Sequence, residues 1–116
     1  MSEESIDLNE FMERVQDDKA LLLELLDIYR EDYKEKRKLL AEALASNNYE
    51  EIRGIAHSLK GASGNISAKP VRNIFLQFEE MGKVQNTAGY QKQLSDLDVE
   101  YTALDRWIEQ LKKELV

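Results

Sequence analysis

Apolar residues recur along this chain at intervals of three, four and seven, and no stretch alternates with the period of two that a strand requires. Ile6, Leu8, Phe11 and Val15 predict a short first helix that caps the fold. A second, long helix opens on Asp17 or Asp18 as its N-cap and carries Leu22, Leu26, Tyr29, Tyr33, Leu40 and Leu44. It runs to about Ser46, where Ser-Asn-Asn breaks it. Asn48 followed by Glu51 resembles a capping box, with Asn in the Ser/Thr role, and starts a third helix. The predicted stripe of that helix is Ile52, Ile55, Leu59, Ala62 and Ile66. A fourth helix begins between Ser67 and Pro70, since Ser is a good cap and Pro is tolerated in the first turn. Val71, Ile74, Phe75, Phe78 and Met81 form its stripe, with Gly82 near its end. After a turn at Gln85-Asn86-Thr87, the last helix carries Tyr90, Leu94, Leu97, Tyr101, Leu104, Ile108, Leu111 and Leu115.

Two long helices, two medium ones and short connections predict an all-α fold: an antiparallel four-helix bundle with an additional short N-terminal helix. A coiled-coil homodimer competes for such stripes, but four amphipathic segments can satisfy one another within one chain, so a monomer is expected. At 116 residues the chain suffices for a single domain, taken as residues 1–116. Met1 and a last helix closing at Leu115 favour a free-standing protein.

Composition narrows the function classes. With 42% hydrophobic and 34% charged residues the chain suits a charge-coated globule rather than disorder. No cysteine is present, which removes disulfides, thiolate catalysis and cysteine-rich zinc sites and is compatible with a reducing cytoplasm. No apolar run reaches the length needed to span a bilayer, and the N-terminus lacks the features of a signal peptide. A net charge of −7 disfavours nucleic acid and anionic membranes as partners. The cluster Lys34, Lys36, Arg37 and Lys38 is interleaved with Glu31, Asp32 and Glu35 and reads as a solvated helix face.

His57 is the chain's only histidine. Helix geometry puts it roughly 200° from Leu59 and the apolar stripe, so it faces solvent. An ordinary surface histidine does not account for its neighbours. Gly61 and Gly64 lie at i+4 and i+7 on the same face, each costing about 1 kcal/mol relative to Ala in a helix interior. A side chain at 61 would lean back over the turn carrying His57, so its absence clears space beside the ring. Close helix packing, or for Gly64 a fraying helix end, are the alternative reasons for glycine. Lys60 at i+3 leans over the same turn, and Arg53 at i−4 is a second cation on that side. An imidazole with a reference pKa of about 6.5 is mostly neutral, and nucleophilic, at cytoplasmic pH. Metal binding fits poorly: Glu50 and Glu51 are not at i±3 or i±4 from His57, and a di-metal bundle needs more histidines. No glycine-rich phosphate loop or second domain is present to bind ATP.

The run His57-Ser58-Leu59-Lys60-Gly61-Ala62-Ser63-Gly64-Asn65-Ile66 resembles the His-x-Leu-Lys-Gly signature of histidine phosphotransfer (HPt) domains of two-component phosphorelays. The likeness continues through Ala68 to Glu79, Glu80, Met81 and Gly82, where the family often has a polar residue and then a helix end. Ser67 departs from it, standing where a glycine is common, and is expected only to alter the turn between helices three and four. The resemblance implies a phosphocarrier with no kinase activity and no cofactor of its own. His57 would exchange a phosphoryl group, on Nε2 by family precedent, with aspartates of response-regulator receiver domains that supply the Mg²⁺. A histidine kinase or hybrid kinase would start the relay. Lys60 would stabilise the phosphate, Gly61 would admit the receiver, and Glu79 would orient the imidazole. Two alternatives stand beside this: the phosphoacceptor domain of a chemotaxis-type histidine kinase, and a helical adaptor that never carries phosphate. Docking is expected on exposed parts of helices two, three and four around His57; Leu76, off the main stripe, is either part of that surface or a spare core position.

Overall fold

The computed structural model describes residues 4–115; Met1 and the other outermost positions of the expected 1–116 domain lie outside the described residues. Its elements are α1 (Leu8–Arg14), α2 (Lys19–Ala45), α3 (Tyr49–Asn65), α4 (Lys69–Val84) and α5 (Tyr90–Leu115). The connections after α2, α3 and α4 are too short for a crossover, so successive helices run antiparallel. α2 to α5 close into a bundle in which each packs on two neighbours, and α1 lies on α2. The molecule measures 43 × 26 × 20 Å.

Local chemistry sets the boundaries. Asp7 caps α1 and Asp18 caps α2, each accepting the backbone N–H three residues on. Asn48 caps α3 by accepting the Glu51 N–H, and its side-chain amide donates to the Glu51 carboxylate at 2.8 Å. The reciprocal bond of a capping box therefore runs between side chains here. α4 starts at Lys69, inside the expected range, but not on a serine cap. Its N-cap is Ala68, which has no side chain to cap with, and Pro70 stands in the first turn. Ser67 is buried at φ +59°. That left-handed conformation is the reason a glycine is at home in this turn. The serine hydroxyl donates to Glu10 at 2.8 Å and its carbonyl accepts the Asp7 N–H at 3.0 Å, so the turn tethers α1.

The core runs from Ile6 and Phe11 through Leu22, Leu26, Leu40, Leu59, Phe75 and Phe78 to Leu97, Leu104 and Ile108. On α3 the buried stripe is Ile52, Ala56, Leu59, Ser63 and Ile66, while Ile55 and Ala62 are only half-buried. The expected stripe is thus rotated toward smaller residues. The cause is close packing of α3 on α4: a Cβ at Gly82 would meet the Tyr49 carbonyl oxygen and the Arg53 nitrogen at 2.8 Å. Two backbones that close leave room for Ala56 rather than Ile55. Ser63 is tolerated inside because it shares a 2.7 Å hydrogen bond with the Tyr29 hydroxyl.

Candidate phosphoacceptor site

Because α3 buries Ala56 and Leu59, His57 between them is turned outward, with 70% of its side chain exposed. α4 is the neighbour that reaches it. Glu79 follows Phe78, which α4 buries, and so stands at the edge of the α3–α4 contact with only 17% of its side chain exposed. Its two oxygens are divided: Oε2 lies 2.7 Å from His57 Nδ1, and Oε1 accepts from Lys60 Nζ at 2.5 Å. Glu79 is therefore the residue that joins the two others.

The Lys60 ammonium and, with it, the His57 ring hold the Glu79 carboxyl below its usual range, against the burial that works to raise it. An ionised carboxylate only accepts hydrogen bonds. His57 Nδ1 must accordingly carry a proton to donate to Glu79, which in the neutral ring leaves the lone pair on Nε2.

The other expected residues divide. Gly61 is exposed, and apart from its own helix backbone nothing lies within 4 Å of where a Cβ would sit, so the flank of His57 is open. Lys60 does not hang free over the ring; it is committed to Glu79. Arg53 is exposed and, with Glu50, Gly54, His57 and Glu79, borders a shallow hollow beside the ring. Gly64 lies in the last turn of α3, so the helix has not frayed there, and Arg72 of α4 borders it, with Cδ and Nε each 3.6 Å from a Cβ position, close enough for contact yet leaving room for a methyl group. Leu76 is 46% exposed, which makes it surface rather than core.

Three features escaped the sequence reading. Gly54, at i−3, is as open as Gly61, so the face of α3 is bare on both sides of His57; its spacing was the signal. Lys36 of α2 donates to Ser58 at 2.6 Å and brings a third helix to the site, which no local pattern reveals. Arg72 shares a face with Leu76 and Glu79, at steps of four and three. Among the described residues no group of three or more His, Asp or Glu side chains is placed to hold a metal, and no helix is long and apolar enough to cross a membrane.

Comparison with known proteins meets this geometry. The Hpt domain family model matches residues 24–114, from the second turn of α2 to the end of α5. The chain belongs to the Hpt domain family. Histidine-containing phosphotransfer protein 2 of Arabidopsis thaliana is 29% identical over 98 residues, covering 80% of this chain and 63% of that protein. Histidine-containing phosphotransfer protein 5 of the same plant is 31% identical over 64 residues, 55% of this chain and 41% of that protein. The chain thus spans less than two thirds of the length of these relatives. The crystal structure of a histidine-containing phosphotransfer protein from Medicago truncatula superposes with a TM-score of 0.78 at 24% identity, over 97% of this chain and 82% of that one. That likeness establishes the Hpt helical-bundle fold.

Proposed function

We propose that this Hpt domain is a phosphorelay intermediate that accepts a phosphoryl group on His57 from a receiver-domain aspartate and passes it to another. One observation carries the reading: an exposed imidazole whose Nδ1 is engaged by an ionised Glu79, leaving Nε2 available beside the open flank of Gly61. In the step, the Nε2 lone pair attacks the phosphorus of the aspartyl phosphate. An N–P bond forms, the P–O bond breaks, and the aspartate leaves as a carboxylate. The ring keeps its Nδ1 proton and becomes cationic, and Glu79 stabilises that charge as the carboxylate of a catalytic triad does. Lys60, already beside Glu79, reaches the phosphate from the same turn. The receiver supplies the Mg²⁺ and most of the charge stabilisation, since phosphoryl transfer depends on positioning and electrostatics. The same reading treats residues 1–116 as one cytoplasmic, monomeric phosphocarrier domain without kinase activity of its own, served by a histidine kinase or hybrid kinase.

Incubation with purified receivers phosphorylated by acetyl phosphate tests it. The wild type is expected to become labelled, in an acid-labile, base-stable linkage, and His57→Gln to remain unlabelled. Glu79→Gln keeps the shape but loses the charge. It is expected to label about tenfold more slowly, the worth of one charge-assisted hydrogen bond of roughly 1.5 kcal/mol. Equal labelling of His57→Gln, or none of the wild type, leaves the helical adaptor as the better description.

A further inference from the structure

Arg72 is a charged side chain with no internal use. Arg14, Arg30 and Arg37 are each bound to carboxylates, whereas among the described residues Arg72 and Arg53, like Arg106 on α5, are in no ion pair. Of these three unpaired arginines, Arg72 is the one whose side chain reaches across from α4 to α3. Its placement is specific. Gly64 lies seven residues after His57, on the same face and about 10 Å along the helix axis. Arg72 of α4 reaches the edge of that glycine: a Cβ there would stand 3.6 Å from Arg72 Cδ and Nε, an ordinary contact. Gly64 therefore has the Arg72 side chain beside it, with room left for a methyl group but not for a larger side chain, whereas the face at Gly61 is open. Arg53 stands about 6 Å from His57 in the other direction along the axis.

A protein that brings its phosphoryl group to His57 covers much more than the ring. A standard interface buries about 800 Å² on each partner, a disc of roughly 16 Å radius. Arg72 falls inside it. A guanidinium covered without a counter-charge is strongly unfavourable, and its planar fork matches a carboxylate in a bidentate pair. Leu76, one turn along α4 and exposed, gives the same surface an apolar centre between Arg72 and Glu79.

We infer that Arg72, beside Gly64, is a docking and specificity residue that pairs with a carboxylate on the partner receiver's surface, outside the reacting centre. This rests on the phosphotransfer reading. Arg72 acts on recognition of the partner and not on the transfer itself.

The test uses a receiver domain that labels the wild type, titrated calorimetrically with Mg²⁺ present at low and moderate salt, together with transfer rates at saturating receiver. Arg72→Glu is expected to weaken binding at least tenfold and to flatten its salt dependence, with the saturating transfer rate unchanged. Arg72→Lys keeps the charge without the fork and should fall between. Gly64→Ala adds only an ordinary contact and should bind as the wild type does. Gly64→Leu should displace Arg72, match Arg72→Ala, and show no further loss in the double variant. Binding of Arg72→Glu within twofold of wild type at low salt overturns the inference, as does a change in saturating rate with affinity intact. Absence of any labelling of the wild type removes the phosphotransfer reading and this inference together, whereas labelling with Arg72-independent binding removes only the inference.

Discussion

Gly61 isolates the steric part of the site. Its α-carbon is exposed, and a methyl group there meets nothing outside its own helix backbone. Gly61→Ala therefore fits without strain and gains helix propensity of about 1 kcal/mol. The same methyl group narrows the flank of His57 that a receiver must approach. The expected result is a higher thermal midpoint, by a few degrees, together with slower transfer from a phosphorylated receiver. Equal or faster transfer would show that the open flank is not used. Tyr33 shows the reverse situation at this scale: its hydroxyl is buried without a hydrogen-bond partner, and burial pushes its ionisation well up, so the group contributes only its ring. That ring stacks on Tyr101 at 3.6 Å between centroids.

Between elements, the seams differ in kind. α3 and α4 meet backbone to backbone at Gly82 and make the most extensive helix contact, which is what holds Glu79 to His57. α2 and α5 make the least extensive contact of the bundle's neighbouring pairs, and there charge supplements packing. Arg30 bonds Asp27, Asp105 and Glu109 at 2.7–3.1 Å, Arg37 bonds Asp98, and Lys112 bonds Asp27. The carboxylates are about half exposed, so each pair is worth little alone. Removing their shared cation leaves Asp105 and Glu109 unpaired and Asp27 with Lys112 alone. Arg30→Met is expected to lower unfolding stability by about 1 kcal/mol, less at high salt, in urea denaturation. Unchanged stability in both salts would mean that the Tyr33–Tyr101 stack and the core hold α5 unaided. The rotation of the α3 stripe belongs to this scale too. Hydropathy selects Ile55 and Ala62, and only the packing of neighbouring helices selects Ala56 and Ser63, the latter bonded to Tyr29 of α2.

For the whole molecule, acid is the condition that acts on many of these contacts together. Three carboxyls lie below their usual range: Glu10, through the Ser67 hydroxyl first and then Lys69; Asp27, through Lys112 and then Arg30; and Glu79, through Lys60 and then His57. A carboxyl depressed in the folded state contributes stability above its unfolded value, and that contribution is lost as pH falls through the folded one. The thermal midpoint is therefore expected to stay nearly level from neutrality to about pH 5 and to fall below about pH 4. Melts followed by circular dichroism between pH 7 and pH 3 check this; a midpoint that is level or rising from pH 4 to pH 3 would contradict it. The tether of α1, the seam of α5 and the Glu79 bridge lose their charge together in that window.

The sequence by itself determined the five helices, a cap at Asn48 and one at Asp17 or Asp18, the outward face of His57 and the open flank at Gly61, because each depends on spacing along one helix. It also contained the pattern that marks the Hpt family. Tertiary structure decided what those residues touch. Lys60 was legible as a cation near His57, but that it bonds Glu79 depends on how far α4 lies from α3, which Gly82 sets. Gly64 was legible as a missing side chain, yet what borders it is Arg72, from another helix. Ser67 looked like a cap for α4 and instead ties down α1, because its left-handed backbone turns the hydroxyl toward Glu10. Helical periodicity fixes direction within one element; the partner met in that direction follows only from the packing of the others.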